Sequence, residues 1–147
     1  MKKVLFVCHG NICRSPMAEF LFKDYVKKIG VENDFYIESC ATSREEIGNE
    51  VHYGTRKILN SLGIDCSKKT ARQITKQDLI DFDYIICMDA NNVRNLERVV
   101  GYSSKVSMLL DYPKLFRDVL DPWYTGDFNA TYNDIMIGIK AFYEYVK

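Results

Sequence analysis

Cys8 and Arg14, with five residues between them in Cys8-His9-Gly10-Asn11-Ile12-Cys13-Arg14-Ser15, are the residue types that attack an oxyanion and capture it. A loop this short, closed between a strand and a helix, can curl so that successive backbone N–H groups converge into a concave anion site. The helix that follows adds positive partial charge to the same point. Gly10 permits backbone angles closed to other residues, and Asn11 is among the few non-glycine types that tolerate positive φ. Arg14 can fork two N–H bonds onto two phosphate oxygens, which lysine cannot do. Together these groups favour the Cys8 thiolate at neutral pH, and the Ser15 hydroxyl can donate to that sulfur and ease its later departure. The same spacing also occurs in ordinary strand-to-helix turns. The preceding apolar strand, the Gly10-Asn11 pair and Ser15-Pro16 set this one apart.

The elements around the loop follow from periodicity. Val4 to Val7 is a continuous apolar run of strand length, as expected for a strand buried on both faces. Ser15 and Pro16 read as N-cap and first helical position, and Ala18, Leu21, Phe22, Tyr25, Val26 and Ile29 form one stripe that ends at Gly30. A second strand is expected from Phe35 to Ala41, a helix from Thr55 to Leu62 and a third strand from Tyr84 to Met88. Asp89 caps a helix carrying Val93, Leu96 and Val100, Lys105 to Leu109 makes a short fourth strand, and Ile135 to Val146 forms the last helix. Strands alternating with helices imply right-handed βαβ units. The expected fold is α/β, a three-layer sandwich with a central four-stranded parallel sheet and helices on both faces. Ligands on such sheets bind beyond the carboxyl ends of the strands, where Cys8 lies.

Composition narrows the function classes. The 147 residues fit one domain, 1–147, with no linker or repeat, and 47% hydrophobic content suits a packed core. Twenty basic residues balance twenty acidic ones, so no global field holds nucleic acid or an anionic membrane, and any anion must be captured by a built site. Five cysteines are an odd number and too sparse for a disulfide scaffold. Cys40 and Cys87 sit in apolar stretches as small hydrophobes, and the pattern favours a reducing, cytoplasmic setting. The Met1-Lys2-Lys3 start imitates an export leader, but the apolar run after it has four residues where a leader needs about 7–15. Export by a route without a leader stays open. No stretch is long enough to span a membrane.

Cys8 through Pro16 resembles the phosphate-binding loop of the low-molecular-weight protein tyrosine phosphatases. Thr70-Ala71-Arg72-Gln73, the Tyr84 to Asp89 strand and turn, and Asp121-Pro122 follow in the order that family shows. The resemblance covers the whole chain and implies a cysteine-dependent phosphatase acting on phosphotyrosine and aryl phosphate monoesters through a phosphocysteine. It implies no cofactor or metal, a phosphotyrosine protein or small phosphate ester as substrate, and room for a cognate tyrosine kinase system. His9 and His52 lack metal-ligand spacing. His52 reads as an exposed loop residue, and His9 is expected to project toward the rim.

A phosphate ester needs its leaving oxygen protonated, so a carboxylic acid must reach the loop from elsewhere. By composition Asp121 is one of twenty acidic residues. Its setting raises it: Pro122 stiffens the turn, and Trp123 and Tyr124 can flank an aryl substrate. The resemblance implies that Asp121 is general acid and then general base, and that Asn11 and Ser39 bond to Ser15 to hold the loop. It also marks departures. Lys69 stands where relatives often carry histidine, Glu45 where many carry tryptophan in the cleft wall, and Trp123 where tyrosine is usual. Glu45 could repel acidic peptides. Ile12, where arginine-specific relatives carry threonine, favours phosphotyrosine. Cys13, beside a reactive thiol, could resolve a Cys8 sulfenic acid into a disulfide.

Two rivals remain at this stage. A thiol-dependent arsenate reductase needs two further redox cysteines in a mobile segment after the third strand, and residues 89 to 110 contain none. A non-catalytic phosphate-binding module would need neither the cysteine nor Asp121-Pro122.

Overall fold

The computed structural model describes residues 1–147. Its core is a sheet of β1 (Lys2–Cys8), β2 (Phe35–Ala41), β3 (Tyr84–Cys87) and β4 (Val106–Met108). The order is β2-β1-β3-β4 and every pairing is parallel. The alternation of β1 divides the core between the two faces. Val4, Phe6 and Cys8 join the cluster containing Met17, Phe22, Ile139 and Phe142, while Leu5 and Val7 join Phe82, Leu96 and Val100. On the first face lie α1 (Arg14–Lys28), α2 (Tyr53–Ser61) and α6 (Phe128–Val146). On the second lie α3 (Lys76–Asp81) and α4 (Ala90–Val100). The expected three-layer sandwich is present, and Phe22 pins its larger core with edge contacts to Phe6, Phe35 and Phe142.

This topology places the site. The chain leaves β1 for β2 on one side and then crosses to β3 on the other, so the loops after β1 and β3 open a crevice at the carboxyl end of the sheet. Cys8 ends β1, and Asp89 follows β3 as the N-cap of α4.

Several boundaries differ from the periodic reading. Helix α1 begins at Arg14 with Cys13 in the cap position and no side-chain cap. Ser15 is therefore not the cap; its hydroxyl serves the loop instead. Pro16 is tolerated in the first turn, where amides lack intrahelical acceptors. Helix α3 was not expected, because six residues are too short for a periodic signal. Its marker is local: Thr75 and Asp78 form a capping box. A short α5 (Pro122–Thr125), N-capped by Asp121, likewise escapes periodicity. No helix is long and apolar enough to cross a membrane.

Candidate active site

The loop from Cys8 to Ser15 is shaped by where its carbonyls go. The Cys8 carbonyl accepts from the Thr42 amide (3.0 Å), His9 from Ser43 (3.1 Å) and Ile12 from His52 (2.8 Å). The Cys13 carbonyl accepts from the Thr55 hydroxyl at 3.0 Å. All these acceptors face outward, toward surrounding structure. In a planar trans peptide the next N–H points the opposite way, so the amides of His9, Gly10, Cys13 and Arg14 turn inward. The loop thus has the concave backbone form that an anion site would need.

Asn11 supplies the left-handed step, with φ of 59°. Its amide nitrogen donates to Ser15 Oγ (2.7 Å) and to Ser39 Oγ (2.9 Å), and its Oδ1 accepts from the Arg72 amide at 3.2 Å. Ser39 thus reaches Ser15 only through Asn11, not directly as the resemblance implied. Ser39 in turn donates to Glu19 (2.6 Å), and the Ser39 carbonyl accepts from Lys69 Nζ at 2.7 Å. The lysine that replaces histidine is therefore built into the support. Its ammonium is pushed below its ordinary value by burial, which outweighs the opposing pull of Glu19. Gly10 does not use positive φ; a Cβ there would meet Glu46 Cγ at 3.3 Å, so its glycine lets the wall approach closely.

Three donors meet at Cys8 Sγ: the amides of Asn11 (3.3 Å) and Ser15 (3.4 Å), and the Ser15 hydroxyl at 3.0 Å. Arg14 is 2% exposed. Its Nη1 donates to Asp89 Oδ2 and to the Val119 carbonyl, both at 2.7 Å, and Nη2 lies 3.5 Å from Asp121 Oδ2. Nε, fully buried, has no acceptor. One edge of the guanidinium is thus anchored by protein, leaving Nε and the second Nη2 hydrogen for two oxygens of an oxyanion. Burial alone would weaken the charge of Arg14, but Cys8, Asp89 and Asp121 outweigh it and raise its pKa above the ordinary value.

A cavity of about 120 Å³ lies over this floor, lined by Cys8, Arg14, Ile12, Glu46, Asp121 and Trp123 among others. That is below the ~300–1,000 Å³ of pockets that engulf drug-sized ligands, so it suits a phosphoryl group with its substituent at the rim. Asp121 Oδ1 accepts from the Trp123 amide at 3.0 Å, which aims the carboxyl back over the loop. Glu45 and Tyr124 also line the cavity, and His9 sits at the rim with Nε2 3.0 Å from Glu45. Cys13 lines it as well, and burial, then the charge of Cys8, push its thiol up to about 12.

Sequence reasoning missed three parts. Asp89 was read only as a helix cap, yet one oxygen caps Asn92 (2.7 Å) while the other holds Arg14. Glu19, buried on α1, carried no signal beyond a charge on an otherwise apolar face. His52 is not a free loop residue: its Nδ1 accepts from the Gly54 amide at 3.0 Å, and its ring packs on Phe128 and Trp123. A histidine at an N-cap was the available clue.

Known proteins resemble the chain over nearly its whole length. The family model described as low molecular weight phosphotyrosine protein phosphatase matches residues 3–147. The chain is 46% identical over 144 residues to the low molecular weight protein-tyrosine-phosphatase YfkJ of Bacillus subtilis, covering 95% of this chain and 92% of the relative. It is 42% identical over 151 residues to the low molecular weight phosphotyrosine protein phosphatase of Gallus gallus, covering 98% and 95%. The crystal structure of YfkJ superposes with a TM-score of 0.94 at 43% identity, covering 99% of this chain and 94% of that one.

Proposed function

The chain belongs to the low molecular weight phosphotyrosine protein phosphatase family, and we propose that residues 1–147 act as one domain in which Cys8, Arg14 and Asp121 carry the reaction. It is a cysteine-dependent phosphoric monoester hydrolase. The observation that carries the residue assignment is the convergence on Cys8 Sγ of the Asn11 and Ser15 amides and the Ser15 hydroxyl, in a cavity that Arg14, with its Nε unengaged, also lines.

The phosphoryl group of the substrate settles in the loop with its oxygens on the inward amides and Arg14. Cys8 Sγ attacks phosphorus in line; the S–P bond forms as the ester P–O bond breaks, and Asp121 delivers its proton to the leaving oxygen. Charge spread over the equatorial oxygens meets donors already fixed in place. Asp121, now a carboxylate, takes a proton from water as that water attacks the phosphocysteine. Phosphate leaves, and the Ser15 hydroxyl receives the returning thiolate through the 3.0 Å contact. Cys13 is a spectator in turnover, because its thiol stays protonated. As a redox partner it would attack a Cys8 sulfenic acid formed by a peroxide, making the Cys8–Cys13 disulfide and releasing water. Arsenate relay finds no support: Cys87 is fully buried in β3.

Asp121→Asn is expected to lower kcat on a phosphotyrosine peptide by roughly 10²–10⁴-fold, the range of a general acid–base group. Stopped assays without added metal measure it; an unchanged kcat overturns the role of Asp121, and thiol-dependent arsenate turnover would favour the reductase.

The substrate class we propose is a phosphotyrosine protein, in a cytoplasmic setting. Trp123 and Tyr124, 58% and 83% exposed, form one wall for an aryl ring. Glu45 and Glu46 form the other, so this wall selects by charge. Phosphotyrosine peptides flanked by lysine should exceed glutamate-flanked ones in kcat/KM by about fivefold, the worth of an exposed ion pair of ~1 kcal/mol. The ratio should shrink with salt and in Glu45→Gln. Equal rates for the two peptides at low salt would remove the acidic wall from specificity.

A further inference from the structure

The acid and the nucleophile lie on different parts of the chain, and one side chain touches the supports of both. The His52 amide donates to the Ile12 carbonyl of the anion loop at 2.8 Å. Its Nδ1 accepts from the Gly54 amide at 3.0 Å, which sets the plane of the ring. The ring stacks on Phe128 with centroids 5.2 Å apart and planes 10° apart. It meets Trp123 edge-on, at 5.5 Å and 73°. Trp123 and Phe128 stand on either side of Gly126, in the turn that begins at Asp121. Gly54 completes the contact: a Cβ there would lie 2.5 Å from the Phe128 ring, so the ring rests on the first turn of α2.

We propose that His52 is a positioning residue for Asp121, holding the acid-bearing turn against the anion loop through its ring stack with Phe128 and Trp123. The physical case rests on what else restrains that turn. Asp121 and Asp127 cap α5 and α6, which are contacts within the turn itself. The Thr131 hydroxyl reaches the Leu120 carbonyl at a long 3.3 Å, and Arg14 reaches Asp121 at 3.5 Å. Upstream of Asp121, Val119 is fixed by Arg14 on its carbonyl at 2.7 Å and by its own amide on the Met88 carbonyl at 2.9 Å; downstream, two aromatic contacts from a residue bonded to the loop backbone tie the turn to the anion loop. Removing the ring leaves Cys8 and Arg14 in place and lets the carboxyl wander from the leaving oxygen. A displacement near 1 Å can cost about 10²-fold in a step that depends on alignment.

The inference rests on Asp121 being the general acid, and the test separates the two. The quantity measured is kcat/KM, which reports the steps up to loss of the leaving group and not the hydrolysis of the phosphocysteine that all esters share, for aryl phosphates whose leaving groups run from a dinitrophenol to tyrosine. Asp121→Asn alone should steepen the dependence on leaving-group acidity; if it does not, the acid assignment fails. His52→Asn keeps a good N-cap acceptor and removes the ring. It should lower kcat/KM on phosphotyrosine about tenfold, a fraction of the general-acid contribution, while kcat/KM for activated esters changes by about twofold or less. In an Asp121→Asn background the same substitution should add little, because both act on one step. His52→Phe, which restores a ring without Nδ1, should recover the wild-type leaving-group dependence. If His52→Asn slows all esters equally, keeps the wild-type dependence or adds in full to Asp121→Asn, the positioning role is wrong. Should His52→Asn not fold, Phe128→Leu takes its place with the same criteria.

Discussion

Cys8→Ser is expected to reduce hydrolysis of phosphotyrosine and aryl phosphates by roughly 10⁴-fold or more, the scale of removing a covalent nucleophile. Serine keeps the shape of the side chain but holds its proton far more tightly than a thiol. The donors at Sγ, two amides at 3.3 and 3.4 Å and the Ser15 hydroxyl at 3.0 Å, are placed to stabilise the sulfur anion that attacks, and the matching alkoxide is far harder to form. Binding should survive, because the inward amides and Arg14 are untouched. Calorimetry with a phosphotyrosine peptide and stopped assays on the same preparation should separate the two quantities. A variant that retains even a hundredth of wild-type turnover, with no trace of wild-type contamination, would remove Cys8 from the chemistry. Loss of binding together with turnover would mean that the loop had collapsed.

Arg14→Lys carries the next largest effect, a fall in kcat of about 10³-fold, at the upper end of losing one preorganised oxyanion donor. Arg14 is held by Asp89 and the Val119 carbonyl through Nη1 alone, so its Nε and Nη2 remain for two oxygens in one plane. An ammonium offers no such division: whichever hydrogens it gives to Asp89, the rest cannot form the fork. The loss should fall on kcat more than on KM, because the fork is worth most as the oxygens spread into the equatorial plane of the transition state. Affinity for vanadate, which adopts that geometry, should drop in parallel with kcat. An Arg14→Lys enzyme with weakened phosphate binding and an unchanged kcat would contradict this division of labour. Thermal unfolding belongs with the kinetics, since the side chain is buried against Asp89 and a misfit there would lower Tm as well.

The sequence by itself determined the anion loop. A loop of eight residues, bounded by an apolar strand and a helix, has few ways to close, and Cys8, Asn11, Arg14 and Ser15 each occupy a place where local chemistry admits little else. The parallel sheet was equally legible, because strands buried on both faces read as unbroken apolar runs between helical stripes. Asp121 needed more than local pattern: Asp-Pro and two aromatics raised it, and the family order of motifs assigned its role. Tertiary structure alone decided the rest. That Asp89 both caps α4 and grips Arg14, 75 residues away in sequence, depends on β3 lying beside β1 in the sheet. That Ser39 acts through Asn11, that Lys69 and Glu19 close the support, and that His52 bridges the loop to Trp123 and Phe128 are likewise contacts across distant segments. Periodicity and motifs report what a residue does to its own stretch of backbone. They do not report which side chains a fold brings face to face, and positioning in this protein is made of such meetings.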